Sequence, residues 1–362
     1  MADVYAARRD RLRSLLAERD LQGALITRLV NVYYLTGFTG SAAALLVTDQ
    51  GAVLAKNSRY AYNNTKATPD LECLIDQDCV PALAQRAVQQ AVRRLAFEEH
   101  DVTVELHGAL MAAAGEVPLA PLSRAVEQLR QVKDETEITV LRQACAISSR
   151  ALSELMESIL IDRSERHIAA ELERRMMDHG SHGVAFETIV ASGPNSAYPQ
   201  HRSGERCVEE GDFLIINCGA RYQGYSATVT RTFVVGADPA DWQIEIYDLV
   251  FAAQKAGREA LVSGTPGREV DAVARMMISD AGYGDYFPHD LGHGVGLEIS
   301  EGPYLGKSAE GTLAAGACVT VKPGIYLPGR GGVRIEDTLV VRELADDRPE
   351  LLTMTTKELL VL

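Results

Sequence analysis

Residues 213 to 236 read FLIINCGARYQGYSATVTRTFVVG. The stretch opens on an apolar run, Phe213-Leu214-Ile215-Ile216, of the kind that forms a buried strand. Asn217 ends the run, and Gly219, Gly224 and a tyrosine pair, Tyr222 and Tyr225, bend the chain. A second extended run, Ser226 to Val235, is rich in Thr and Val. Two strands are therefore expected to carry Asn217 and Thr228, eleven residues apart, at their inner ends. Such a pair presents side chains from a rigid sheet to a shared site.

The same stretch resembles the pita-bread metallopeptidases, the family of prolidase (Xaa-Pro dipeptidase) and aminopeptidase P. Gly219-Ala220, Gly224-Tyr225 and Thr230-Arg231-Thr232 match the family frame, while its two Asp positions hold Asn217 and Thr228. A second signature, Phe287 to Glu301, is similar to the family's His-x-x-Gly-His-Gly motif. It implies that His293 stands at a metal ligand and His289 beside the substrate, and it puts Ser300 where a proton-handling histidine belongs. A third, Val319 to Tyr326, has Lys322 where the family's Glu serves as metal ligand and presumed general base. A fourth, Gly331 to Thr338, matches fully, giving Glu336 as the bridging carboxylate and Arg334 as a neighbouring or substrate-carboxylate residue. In Ala191 to His201 the family's substrate-steering histidine falls on Gln200. His201 is one residue late, and in an extended segment one residue turns a side chain to the opposite face.

What the resemblance implies for the site follows from charge. The family would hold two divalent cations (Mn, Co or Zn) on Asp, Asp, His, Glu and Glu. Here those positions are Asn217, Thr228, His293, Lys322 and Glu336, so two of five survive and one is reversed in sign. Two metal ions bring about +4 of charge and need carboxylates to offset it, and a protonated Lys322 cannot ligate. No metal is expected, and Lys322 is expected to pair with Glu336 and close the cavity. The reading is a catalytically silenced prolidase relative that binds a peptide or small carboxylate through Arg334, Arg231, His289 and Tyr225. The alternatives are a metal-independent creatinase-type hydrolase and a weakly active Xaa-Pro dipeptidase. Creatinase-like enzymes, however, keep a Glu at the position of Lys322 and a His in the segment of Gln200.

The chain has 362 residues and a formal net charge of −14. That length suggests two domains, and that charge argues against nucleic acid as a general partner. No apolar run approaches the ~20 residues of a membrane span. The charged, amphipathic opening is unlike a signal peptide, so a cytoplasmic protein is expected. Six Cys, at 73, 79, 145, 207, 218 and 318, form no Cys-x-x-Cys pair and are expected to be buried, reduced thiols.

Strands and helices alternate to about residue 131, with a hairpin turn at Asp49-Gln50-Gly51. Asn31 to Ser41 and Asn57-Ser58-Arg59-Tyr60 resemble the N-terminal domain of prolidases and creatinase. That implies either a contribution of Arg59 and Tyr60 to a neighbouring subunit's pocket or a role in folding and dimer packing. Asp134 and Ser164 are expected to cap helices. His167, His179 and His182 read as surface or loop residues. Helices are expected at Asp241 to Leu261 and Val270 to Ala281, with Trp242 and Tyr247 in the core or at an interface. The expected fold is α/β (α+β): a creatinase-like domain over 1–131 and a pita-bread domain over 132–362, assembled as a homodimer.

Overall fold

The computed structural model describes residues 2–61, 71–158, 160–343 and 348–362. The chain divides into two units, 1–130 and 131–362. The first is α/β. Its strands are β1 (Gly23–Ile26), β2 (Ala43–Thr48), β3 (Gly51–Lys56), β4 (Glu72–Ile75), β5 (Leu95–Phe97) and β6 (Leu119–Pro121). They form one mixed sheet in the order β4-β3-β2-β1-β5-β6. The β2–β3 hairpin turns at Asp49-Gln50, with Thr48 opposite Gly51. Helices α1 (Ala2–Glu18), α2 (Leu29–Thr36), α3 (Cys79–Gln89), α4 (Val104–Ala114) and α5 (Ala125–Gln131) accompany the sheet. The Tyr60 hydroxyl accepts a hydrogen bond from the Ser41 amide at 3.0 Å, and its ring meets Phe38 edge-on.

The second unit opens with α6 (Glu135–Met156), capped by Asp134 in a reciprocal pair of bonds with Glu137. Helix α7 (Glu165–Asp178) is capped by Ser164, whose hydroxyl accepts from the His167 amide. These helices lay Leu152, Leu155, Ile168 and Leu172 on an antiparallel sheet. Its strands are β7 (Ile189–Ser192), β8 (Phe213–Cys218) and, after the short β9 (Arg221–Tyr222) and β10 (Tyr225–Ser226), β11 (Val229–Val234). Helices α8 (Asp241–Glu259) and α9 (Gly267–Asp280) cover a second sheet, with Ile246, Val250, Val270 and Ala274 in its core. That sheet comprises β12 (Gly292–Gly294), β13 (Glu301–Leu305), β14 (Cys318–Val321) and, after the β15 (Gly324–Leu327)–β16 (Gly331–Arg334) hairpin, β17 (Asp337–Val340) and β18 (Glu350–Leu351). Two helix-backed antiparallel sheets are the pita-bread arrangement.

Several expectations are corrected locally. Asn217 does not end its strand: β8 runs through Cys218, with Asn217 opposite Thr230. The second extended run is interrupted at Ala227-Thr228. A Cβ on Gly219 would stand 1.9 Å from the Ala227 carbonyl oxygen, so only glycine lets the two segments pass this closely. Helix α9 starts at Gly267, three residues before the expected Val270, directly after Pro266. Cys145, Cys218 and Cys318 are buried, but Cys73 and Cys207 are exposed and Cys79 is half-buried. His179 is not a bare surface residue, since its Nε2 lies 2.8 Å from Glu154. Tyr247 is buried, and Trp242 packs edge-on against Phe213. Among the described residues no helix is long and apolar enough to cross a membrane.

Candidate active site

Thr228 precedes β11, and its hydroxyl reaches Asn217 Oδ1 at 3.4 Å, the outer limit of a hydrogen bond. Two residues on, Thr230 bridges to Glu336 by backbone bonds in both directions, joining β11 to the turn between β16 and β17. The Thr230 hydroxyl also donates to Glu336 Oε2 at 2.7 Å. His293 comes from β12. A Cβ on Gly292 would lie 1.8 Å from the Thr320 carbonyl oxygen, so glycine there brings β12 up against β14. Lys322 follows β14, and its amide is fixed by the Leu291 carbonyl at 2.7 Å.

Lys322 Nζ lies 2.6 Å from His293 Nε2. His293 Nδ1 lies 3.0 Å from the Gly294 carbonyl oxygen. A carbonyl only accepts, so Nδ1 carries the proton and Nε2 presents a lone pair, which Lys322 fills as donor. His289 is arranged the same way, with Nδ1 donating to the Asp290 carbonyl at 2.9 Å and Nε2 accepting from the Tyr326 hydroxyl at 2.9 Å. Both imidazoles are held neutral. Burial pushes each down to about 4; Lys322 adds to this at His293, and Arg334 with Lys322 at His289.

The expected Lys322–Glu336 ion pair is not formed. Lys322 bonds to His293, while Glu336 accepts from Thr230 through Oε2. The two charges act through their fields. Burial would raise the Glu336 carboxyl, but Lys322 and Arg334 outweigh it and hold the group below its usual range. Burial lowers Lys322, with Glu336 opposing and Arg334 adding to the fall. Arg334 is 4% exposed; its Nε donates to Thr230 Oγ1 at 3.3 Å and its Nη1 to the Pro199 carbonyl at 3.1 Å. Its Nη2 is sealed from solvent and has no acceptor in hydrogen-bond geometry.

Lys322 and His293, Glu336 and Arg334 through Thr230, and His289, which feels the charges of Lys322, Arg334 and Glu336, thus form one cluster, with Asn217 of β8 opposite Thr230 and Thr228 just before β11; other expected residues stand apart. Arg231 is 1% exposed, with every guanidinium nitrogen engaged: Asp337 at 2.7 Å and the carbonyls of Thr230, Glu336, Thr355 and Thr356. It has no donor left for a ligand and serves the fold instead. Tyr225 is buried and donates to Glu137 at 2.9 Å, in the cap of α6, rather than lining the pocket. Gln200 and Ser300 are exposed. His201 does not take over from Gln200, since its Nε2 lies 2.7 Å from the buried Glu165 carboxylate. That carboxylate also takes the Ser192 and Gly204 amides and the Asn195 amide group, tying the whole 192–204 loop to the start of α7. Residue patterns alone did not single out Glu165 or Tyr326; the available signal for Tyr326 was its place at the end of the Pro-Gly-Ile-Tyr run, and the fold sets it against His289.

A pair of divalent ions does not fit these donors. The pocket offers one carboxylate, and the imidazole lone pair a metal would use is occupied by an ammonium. Among the described residues, the three potential metal donors that converge within 4.8 Å are Glu98, His100 and Glu127, in the first unit. Glu98 there already accepts from the Thr27 and Arg28 amides and from Asn31.

Comparison with known proteins agrees with this architecture. Residues 139–343 match the model of metallopeptidase family M24, and residues 8–132 match the creatinase/prolidase N-terminal domain. The chain is 36% identical to the uncharacterized peptidase YqhT of Bacillus subtilis, covering 98% of this chain and 99% of that one. It is 34% identical to an Xaa-Pro dipeptidase of Pyrococcus furiosus, with the same coverage of both chains. Among solved structures, an Xaa-Pro dipeptidase from Bacillus anthracis superposes with a TM-score of 0.94 at 36% identity, covering 99% of this chain and 100% of the other.

Proposed function

The chain belongs to metallopeptidase family M24, as an Xaa-Pro dipeptidase-like member, and from that premise we propose that it binds a short peptide or small carboxylate without metal-assisted hydrolysis. The observation that carries this reading is Lys322 Nζ at 2.6 Å from His293 Nε2. One ammonium removes a ligand, blocks a second and brings positive charge to the place of a cation. At ~4 Å and an effective dielectric of ~20, each like unit pair opposes metal by about 4 kcal/mol. The base that would activate water is gone with the same substitution. A creatinase-type reaction without metal meets the same loss, compounded by Gln200, which is exposed.

The relatives favour a second reading. Proteins named Xaa-Pro dipeptidase match along the whole chain, which supports turnover of Xaa-Pro dipeptides by this protein too. One experiment separates the two. The protein is purified, incubated with manganese, cobalt or zinc, desalted, and analysed for metal and for proline released from Xaa-Pro dipeptides. Well under one ion per chain and no release above background is the expected result. Two ions per chain, or metal-dependent release of proline, establishes the peptidase instead.

A further inference from the structure

The substitutions in the pocket share a direction. Aspartate and glutamate accept hydrogen bonds and, when ionised, cannot donate them. Asn217, Thr228 and Lys322 each can: an amide, a hydroxyl and an ammonium stand where the family has carboxylates. Lys322 has three N–H groups and gives one to His293. Arg334 adds a guanidinium whose buried Nη2 makes no well-formed hydrogen bond, the Tyr326 hydroxyl being the weak acceptor beside that side chain. A buried donor left unmade costs roughly 1–3 kcal/mol, more when it is charged, so an acceptor belongs in front of it. Lys322 and Arg334 are close enough that each lowers His289, and Arg334 lowers Lys322. Facing them is the single carboxylate of Glu336, which Thr230 holds from the other side. Asp290 also acts on Lys322 but is exposed, so the two cations stand against one buried anion, which leaves a unit of positive charge among the groups shielded from solvent.

We propose that the position of the metal pair has become an anion site, in which Lys322 acts as a tethered cation and, with the free Nη2 of Arg334, holds the carboxylate of an amino acid or short peptide. The proposal rests on the metal-free reading above and adds where the carboxylate sits and which groups recognise it. A monoanion brings the pocket to neutrality. A phosphate dianion overshoots and sets surplus negative charge against Glu336. With Nε and Nη1 of Arg334 engaged, Nη2 offers one charge-assisted bond and Lys322 a second, one for each oxygen of a carboxylate. His289, neutral and anchored on Tyr326, lines the site without adding to its charge.

Calorimetric titration of chelator-treated protein tests this with four probes: Gly-Pro, its C-terminal amide, L-proline and inorganic phosphate. Gly-Pro or L-proline is expected to bind, and amidation of Gly-Pro or Lys322→Met to weaken binding by about tenfold or more, the worth of a charge-assisted hydrogen bond. Lys322→Arg keeps the cation and is expected to keep most of the affinity. The comparison of acid and amide uses the unaltered protein, so it stands even if a variant folds poorly; melting curves check the variants. Equal binding of acid and amide, unchanged affinity in Lys322→Met, tighter binding of phosphate than of either carboxylate, or no heat from any carboxylate up to about 10 mM overturns the proposal. Failure of the metal-free reading registers separately, as metal-dependent proline release by the unaltered protein.

Discussion

Exchanging Lys322 for glutamate tests how far one side chain controls the pocket. Lys322→Glu removes the donor that occupies His293 Nε2 at 2.6 Å and sets a carboxylate near Glu336. For an ion at ~4 Å, losing the repulsion is worth about 4 kcal/mol per unit of ion charge at an effective dielectric of ~20, and gaining an attraction is worth as much again. At about 1.4 kcal/mol per decade, even half of that raises affinity for a divalent ion by several powers of ten. The donor count, however, sets a ceiling. The variant offers two carboxylates and one imidazole, enough for one ion, because Asn217 and Thr228 remain neutral. Only Asn217→Asp, Thr228→Asp and Lys322→Glu together restore four carboxylates beside His293. Manganese titration calorimetry is expected to give at most one site for the single variant and two for the triple. Rate lags metal in the triple variant, because Gln200 and Ser300 still stand where the family has histidines. If the single variant binds two ions as tightly as the triple, counting hard-oxygen ligands is the wrong physics for this pocket.

Three further outcomes are expected. Arg231→Met should cost about 3–5 kcal/mol of stability in urea unfolding, since it takes from the buried Asp337 carboxylate one of its two cations, leaving Lys357, and strips four carbonyls of their donor, yet leave Gly-Pro affinity unchanged in whatever fraction folds. Stability should fall as pH drops from about 6.5 to about 4: His289 and His293 titrate near 6.5 unfolded and are pushed down to about 4 in the fold, so the unfolded chain takes up protons first. Glu336 adds to the loss further down, because its depressed folded pKa contributes stability above the unfolded value that disappears as pH falls through the folded one. His289→Asn, followed by urea midpoints across that range, should flatten the slope. Light scattering at micromolar concentration should give the mass of a dimer; a monomer removes any role for Arg59 and Tyr60 in a neighbour's pocket.

Local signals in the sequence were read correctly where the physics is local. Asp134 and Ser164 cap the helices that follow them because a short polar side chain can reach only the first turn of its own helix. The β2–β3 turn follows from its Gly51 in the same way. Motif spacing also anticipated that His293, Lys322, Glu336 and Arg334 come together, because those spacings are fixed by the strands that carry them. Polar partnerships were not legible, since they are settled by residues far apart in sequence. Lys322 and Glu336 look like a natural pair from charge alone. In the fold Thr230, more than a hundred residues upstream of Glu336, donates to that carboxylate, and Lys322 bonds to the imidazole that β12 brings beside it. Arg231 reads as a ligand contact because it is a cation inside a stretch that matches the family frame, but Asp337 of β17 and the Thr355-Thr356 segment take up its guanidinium together with the Thr230 and Glu336 carbonyls. His201 shows the same effect in an exposed loop.

On the metal-free reading proposed above, the bonding of His201 bears on how a histidine can be restored at the family's substrate-steering position. A one-residue offset from Gln200 looks repairable if the loop can slide. The loop, however, is fastened from within: Glu165 takes His201, the Gly204 and Ser192 amides and Asn195, and these bonds together hold the carboxyl low although burial alone would raise it. Sliding the loop by one residue breaks several charge-assisted bonds at once, each worth roughly 1.5–3 kcal/mol. Gln200→His is therefore the shorter route to a histidine at the family's position, and it leaves the Glu165 hub intact. Combined with the triple carboxylate variant, it should raise proline release from Gly-Pro above that of the triple variant alone. If His201→Gln instead abolishes whatever release the triple variant shows while melting at the same temperature, His201 reaches the substrate and the hub is not its resting place.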